Sequence, residues 1–313
     1  MSYYRIIATP RGPLATRLIS GTLWGHLAWA VRYLEGKDAL QRWLEEQEKK
    51  PWLVSSYMPK DMLPKPQLPA DAPKGKGDLL ELFELRKNIR KLNFIPEETF
   101  IMLRNGMSEA SLAGMLADIN SAEKESDWGV SRVRLAHNRI DRRTGRTPDE
   151  GGLYFEDADM HPSGSKIQIF MQFPSSSLNQ VCMLLKHIGD NGFGANASIG
   201  CGSLSFQMQE EKILFGAKGT RGMSLSHGTC SANMADVRYR QHVHFGKMGG
   251  HFATGVHSPF KYPILMMQPG ATFSPTGDGP YGDLLKGVHH SPDFTAVRHN
   301  ALHLPIFFTE AAS

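Results

Sequence analysis

Five periodic segments, taken in order, restrict the fold of this 313-residue chain more tightly than any other feature of it. Tyr3 to Thr9 alternate as a short strand, which Pro10, Gly12 and Pro13 end. Leu23, Leu27, Val31 and Leu34 recur at helical spacing behind Ser20 or Thr22 as an N-cap. Lys166–Phe173 reads as a strand. Leu178–Ile188 reads as a helix with Val181, Leu184, Leu185 and Ile188 on one face. Ser203–Gln207 is a strand again, reached through a glycine-rich turn.

The intervening chain is less regular. A helix is expected from about Asp38 to Lys50, its acidic start and lysine-rich end matching the helix dipole. Six prolines between Pro51 and Gly77 mark an extended loop. Helical patterns return at Leu79–Leu92 and Ser108–Glu123, and strand signals at Arg132–His137 and Leu153–Phe155. With 37–130 set aside as a helical insertion, the order is strand, helix, strand, strand, helix, strand. That is the split βαβ ferredoxin-like plan, used also by RNA-recognition domains. The length suits two domains. The expectation is therefore an α+β chain of two ferredoxin-like, RRM-like domains: 1–209, carrying the insertion, and a degenerate copy over 210–313 that is strand-rich and punctuated by glycine.

Composition excludes some classes of function. At 41% hydrophobic and 21% charged residues the chain can build a core. Its apolar runs, such as Ile167–Phe173, are far shorter than a membrane span. Met1–Ile7 lacks the basic start and apolar core of a signal peptide. Cys182, Cys201 and Cys230 fit neither a disulfide framework nor a zinc spacing. A cytoplasmic protein is expected. A net charge of +4 permits a nucleic-acid partner without requiring one.

Four constellations are candidates for function. Between Arg132 and Arg146 stand six arginines (Arg132, Arg134, Arg139, Arg142, Arg143, Arg146) with His137 and Asn138, and Asp141 is the one acid among them. Planar guanidinium groups suit phosphate, and the run lacks the interleaved acids of a salt-bridged surface; a solvated polar hairpin is the alternative. The second is the loop Gly192–Gly202, with Gly194, Asn196, Ala197, Ser198 and Gly200 inside it. Its closely spaced glycines would let backbone amides approach phosphate, although such turns are often purely structural. It leads from helix to strand, so it is no dinucleotide fingerprint, and no Lys-Ser/Thr pair closes it as in a Walker loop. Third, Arg17, Ser20, Thr22 and His26 flank the start of the first helix, where free amides attract anions; a capped helix with Trp24 packed inside is the plain alternative. Fourth, Lys247, Gly249, Gly250 and Lys261 accompany Phe260 and Tyr262, which either stack on bases or fill a core.

His242, His244, His289 and His290 lack Cys or carboxylate partners at zinc-ligand spacing and read as structural or surface residues. No nucleophile-elbow, zinc-protease or paired-carboxylate motif stands out. The expectation is a protein without catalytic activity, metal or cofactor. Two alternatives stay open. One is a metal-independent endoribonuclease that processes a precursor RNA with His26 or His137 as base; the other is a protein-only scaffold docking on an acidic partner.

Together these segments resemble the RAMP superfamily of CRISPR proteins. The loop 192–202 is similar to that superfamily's Gly-x-Gly-x-x-x-Ser-x-Gly-x-Gly loop. Ser20–Gly25, Met62–Pro66, His137–Arg142 leading to Gly151–Tyr154, and Pro259–Pro263 followed by Pro269–Thr272 look like the fourth subunit of the type III-A, or Csm, effector complex. The resemblance implies an RNA-binding subunit that holds the repeat-derived 5′ handle of the guide RNA (crRNA). It implies contacts with a large polymerase-like signalling subunit and with a backbone RAMP subunit, and with target RNA only indirectly. Ala195, Asn196 and Ala197 stand where the superfamily often carries Lys or Arg, so contacts from this loop would come from backbone amides.

Overall fold

The first strand, β1 (Ser2–Pro10), lies inside an antiparallel sheet, paired on one side with β8 (Ile167–Phe173) and on the other with β9 (Leu204–Glu210). The structure is a computed structural model and describes residues 1–70, 87, 89, 91–117, 129–254 and 258–311. Two short strands, β2 (Leu53–Val54) and β3 (Met58–Pro59), both pair with the free side of β8, so the sheet runs β2/β3–β8–β1–β9. These edge strands fall in the proline-rich stretch expected to be loop. Proline is tolerated at a sheet edge because its missing N–H need not serve the ladder, and Pro59 sits there. The segment set aside as an insertion therefore completes the first sheet. Of the helices expected in it, Leu79–Leu92 falls mainly, and the end of Ser108–Glu123 wholly, outside the described residues.

Two helices cover one face of this sheet, α1 (Ser20–Leu34) and α5 (Leu178–Asn191), with α2 (Lys37–Lys49) beyond α1. Helical spacing buries Leu23, Leu27 and Val31 of α1 and Val181, Leu184, Leu185 and Ile188 of α5. Strand alternation sends Ile167, Ile169, Met171 and Phe173 toward them, while Phe170 points to the opposite face. There it meets the second half of the chain: Leu214, Met223, Leu225, Leu302, Leu304, Ile306 and Phe308 share one cluster with Leu53, Met58 and Phe170. Buried on both faces, β8 is apolar apart from Gln168 and Gln172, and Gln168 is fully buried against Arg5 and the Met62 carbonyl.

Smaller elements join this layer. β4 (Met62–Pro64) pairs with β5 (Phe94–Pro96), which leads into α3 (Glu97–Leu103) and α4 (Glu109–Ala117). β6 (Ser131–Asn138) and β7 (Leu153–Met160) form a hairpin of their own. In the second half, β10 (Arg221–Ser224), β11 (Met234–Arg238), β14 (Thr272–Pro275) and β17 (Pro305–Phe308) form an antiparallel sheet in the order β11–β14–β10–β17. Counted along the chain, that order repeats the order of the first sheet. Where the first sheet has crossover helices, the described residues of this half have none. The hairpin β12 (Gln241–His244) with β13 (Ile264–Met267), and the pair β15 (Tyr281–Leu285) with β16 (His299–His303), stand beside the sheet.

A buried charge network joins the halves. Arg5 on β1 is 8% exposed and bonds Glu97 at 2.7 Å and Glu211 at 2.6 Å, with Gln168 at 3.2 Å and the Phe170 ring 5.0 Å below. Burial pushes the Glu211 carboxyl up, but the Leu214 and Ile213 amides and Arg5 outweigh it and hold it below its ordinary value. Arg5→Ala strands two buried carboxylates and is expected to cost about 3–5 kcal/mol in urea unfolding.

Candidate nucleic-acid interface

Three segments distant in sequence meet beside the C-terminal end of α5. The helix stops at Gly192, whose positive φ of 87° turns the chain into the glycine loop. The Phe193 amide donates to the Gly202 carbonyl, and the Gly202 amide donates to the Pro13 carbonyl at 2.8 Å. Gly202 has φ of +74° and lies so close to Phe193 that an added Cβ would fall 2.0 Å from its carbonyl oxygen. Gly194 presses on Thr16, and the Ala195 amide donates to the Thr16 hydroxyl at 2.9 Å. The connection from β1 to α1 thus forms the floor of the loop.

The hairpin β6–β7 joins the same place. Leu14 and Asp159 exchange backbone hydrogen bonds of 2.9 Å, and Arg17 Nε lies 3.2 Å from the Asp159 carboxylate. The Asn196 side-chain amide donates to Glu156 of β7. His137 stacks on Tyr154 with centroids 5.2 Å apart, and its Nε2 lies 3.4 Å from Glu156. The glycine loop, the β1–α1 connection and the hairpin base therefore form one surface.

Most loop amides are already used. Those of Ile199, Gly200 and Cys201 bond within the loop, and Gly194 donates to His26 Nε2 at 3.2 Å. Among residues 193–202, the amides of Asn196, Ala197 and Ser198 have no acceptor within the described chain. Expected amide contacts from the whole loop thus reduce to these three.

His26 is a structural histidine. Its ring lies 4.4 Å from that of Phe193, burial pushes its pKa down to about 4, and its acceptor nitrogen holds the loop.

Outside this surface the helix start is less open than expected. Ile19 is the N-cap residue, without a side-chain cap, and Ser20 is the first helical residue. The Ser20 hydroxyl donates to the His227 carbonyl at 3.2 Å and accepts from the His227 amide at 3.1 Å, while the Ser20 amide donates to Ser56. The hydroxyl is drawn into the second half and cannot turn back to cap its own helix. Thr22, half-buried, follows in the first turn.

The arginine run divides into two groups. On β6, Arg132 and Arg134 face Asp157 of β7 at 3.2 and 3.5 Å. The acids missing from the local sequence are thus supplied across the hairpin. At the tip the situation differs. Asp141 accepts from the Arg143 amide at 2.8 Å and so shapes the turn, and Thr147 donates to Asn138 at 2.9 Å. Arg139, Arg142, Arg143 and Arg146 are exposed there, and their guanidinium groups have no partner among the described residues.

The fourth constellation lies elsewhere. Lys247 Nζ sits 6.0 Å from the centre of the exposed Phe260 ring. Gly249 and Gly250 lie against Trp29 of α1, where an added Cβ on either would approach the indole to 2.6 Å. Their close approach is to a protein ring. Lys261 is half-buried, its Nζ 3.3 Å from the Arg298 carbonyl, and burial pushes its pKa down to about 8. Among the described residues no group of His, Cys, Asp and Glu could hold a metal ion, and no helix is long and apolar enough to cross a membrane.

No protein-family model matches the chain, and no curated protein matches it. Solved structures do. It is similar over its whole length to a chain of the Csm1-Csm4 cassette in complex with pppApA, at 16% identity, TM-score 0.61 and full coverage of both chains. The same cassette in complex with cA4 matches with TM-score 0.61 and 16% identity over 99% of this chain and all of the other. The Csm3-Csm4 subcomplex of the type III-A CRISPR-Cas interference complex matches with TM-score 0.58 and 15% identity over 97% and 99% of the two chains. The fold is therefore similar to that of chains found in a Csm1-Csm4 cassette and in a Csm3-Csm4 subcomplex.

Proposed function

We propose that this chain is a non-catalytic RNA-binding subunit of a type III CRISPR effector complex, gripping the repeat-derived 5′ handle of the crRNA. The observation that carries it is the hairpin tip. Four unpaired arginines project from a hairpin whose base is bonded to both the glycine loop and the β1–α1 connection. Unpaired guanidinium groups suit phosphate, and the exposed Leu153 and Phe155 beside them offer apolar surface to bases. The free Asn196, Ala197 and Ser198 amides add donors at the hairpin's foot.

The partners we infer are a large polymerase-like subunit on one side and a backbone RAMP subunit on the other. Support comes from the fold, which resembles chains found in both a Csm1-Csm4 cassette and a Csm3-Csm4 subcomplex. We read both sheets as ferredoxin-like, the second without its helices, because their strand orders coincide. The absence of catalysis rests on His26, whose acceptor nitrogen is occupied by the Gly194 amide, and on His137, stacked beneath Tyr154.

The test is binding of the purified chain to RNA carrying the 5′ handle, against a scrambled handle, with each sample then run on a denaturing gel. Handle-selective, salt-sensitive binding of intact RNA is expected. Cleaved RNA would replace this reading with the processing nuclease, and equal binding of both RNAs would remove the handle from it.

A further inference from the structure

Four histidines that the hairpin and glycine loop leave unused come together at the start of α1. His242 and His244 stand two apart on β12 and so share a face. β16 opens with His299, and the turn after β10 brings His227. The rings form a chain, with centroids 4.7 Å apart from His227 to His242, 6.0 Å from His242 to His244 and 4.9 Å from His244 to His299. His227 is tied to Ser56 at 2.7 Å through Nδ1, and its backbone to Ser20. His299, 2% exposed, lies against Gly21 in the first turn of α1.

The charged groups that act directly on these four rings are basic, with Asp159 pairing Arg17 behind them. Arg17 acts on His242, Lys261 acts on His244 and His299, and the histidines act on one another and with His303 on His227. The first turn of α1 carries no acid. Asp283 acts on His303, not on the four rings. Burial first, and these neighbours second, hold the rings neutral: His227 is pushed down to about 3 and His244 to about 4, and His299 lies well below its ordinary value.

Two ring nitrogens, His242 Nε2 and His299 Nε2, are buried with no hydrogen-bond partner among the described residues. Such an atom is costly to bury, and a polar ligand is one of the few things that would satisfy it. A cation would meet Lys261 and Arg17, of which only Arg17 is balanced, by Asp159 at 3.2 Å. An anion would be favoured by Lys261 and Arg17 and could accept from the unpartnered ring nitrogens when they carry hydrogen.

We infer that this histidine cluster is a second phosphate site on the RNA-binding face, holding a backbone phosphodiester through imidazole N–H groups and Lys261 and taking up a proton as it fills. The site rests on the RNA-binding reading, and Arg17, bonded to the hairpin base through Asp159 and acting on His242, connects the two surfaces. A phosphodiester keeps its single negative charge across the neutral range, so the pH dependence belongs to the protein. The bound anion raises the imidazolium pKa values. Affinity should therefore fall as pH rises, by up to about tenfold per pH unit for each proton taken up.

The experiment measures RNA affinity of the full chain at fixed salt between pH 5.5 and 8, for wild type, His242→Gln and His244→Gln, with thermal melts confirming that each variant folds. Glutamine keeps a donor but cannot take the proton. The expected result is a flattened pH profile in both variants and about tenfold weaker binding than wild type at the acid end. Identical profiles in all three proteins would overturn the site and leave the RNA-binding reading standing. Should no protein bind RNA, that reading fails. Dimethyl phosphate titrated into ¹⁵N-histidine-labelled chain then decides: shifts confined to the four rings keep a phosphate site, and unchanged spectra dismiss it.

Discussion

Replacing Arg139, Arg142, Arg143 and Arg146 together by alanine is expected to weaken RNA binding by about a hundredfold at low salt. Each phosphate contact on a single strand contributes about 0.7 to the slope of log affinity against log salt, so losing four should reduce that slope by up to about 3. The four side chains are exposed, and their guanidinium groups have no hydrogen-bond or ion-pair partner in the described chain. Stability should accordingly stay within about 0.5 kcal/mol of wild type. Arg132→Ala with Arg134→Ala is the contrast. Both residues are already paired with Asp157, and their removal should cost far less affinity. Filter binding across a salt series, with melts in parallel, gives both numbers. Unchanged affinity in the fourfold variant would take the hairpin tip off the RNA face.

Acid should begin to destabilise the protein below about pH 6.5, before its carboxylates titrate. Burial holds His26, His244 and His303 down to about 4 and His227 to about 3, against about 6.5 in an unfolded chain. In the window between, the unfolded state binds protons that the fold refuses. The stability these neutral rings contribute is complete above about pH 6.5 and is lost as pH falls toward 4. Each ring removes up to about 1.4 kcal/mol per pH unit. Two or three rings acting together would exhaust a typical net stability of about 5–15 kcal/mol before pH 4. Denaturant melts at pH 7, 6 and 5 measure the slope, and a flat profile would mean that the rings are hydrated. Handle RNA, by stabilising protonated rings of the cluster, should shallow that slope.

What the sequence made legible follows from distance along the chain. β1, α1, β8, α5 and β9 stand out because each announces its period within its own residues, and the glycine loop because its turn geometry requires glycine locally. The edge strands β2 and β3 do not, since two-residue strands beside prolines carry no period. Asp157 was hidden for a related reason. It lies 23 residues after Arg134 but directly opposite in the ladder, so counting neighbours in sequence misses it. Gly249 and Gly250 had the right pattern for backbone approach, but the object approached is Trp29. The histidine cluster left even less trace, because residues 227, 242, 244 and 299 belong to three separate segments. One faint signal was present: His242 and His244 alternate on a strand with no acid between or beside them.

The cluster that Phe170 shares with Leu302, Leu304, Ile306 and Phe308 also sets a timetable for synthesis. A ribosome completes β1, β8 and β9 long before it reaches residue 302, so a nascent chain holds a finished first sheet with one apolar face bare. Only when β17 has emerged and paired with β10 can that face close. Through that interval the growing polypeptide presents the kind of surface that chaperones bind. Chains halted before residue 299 should accumulate as insoluble or chaperone-held fragments, not as a soluble half.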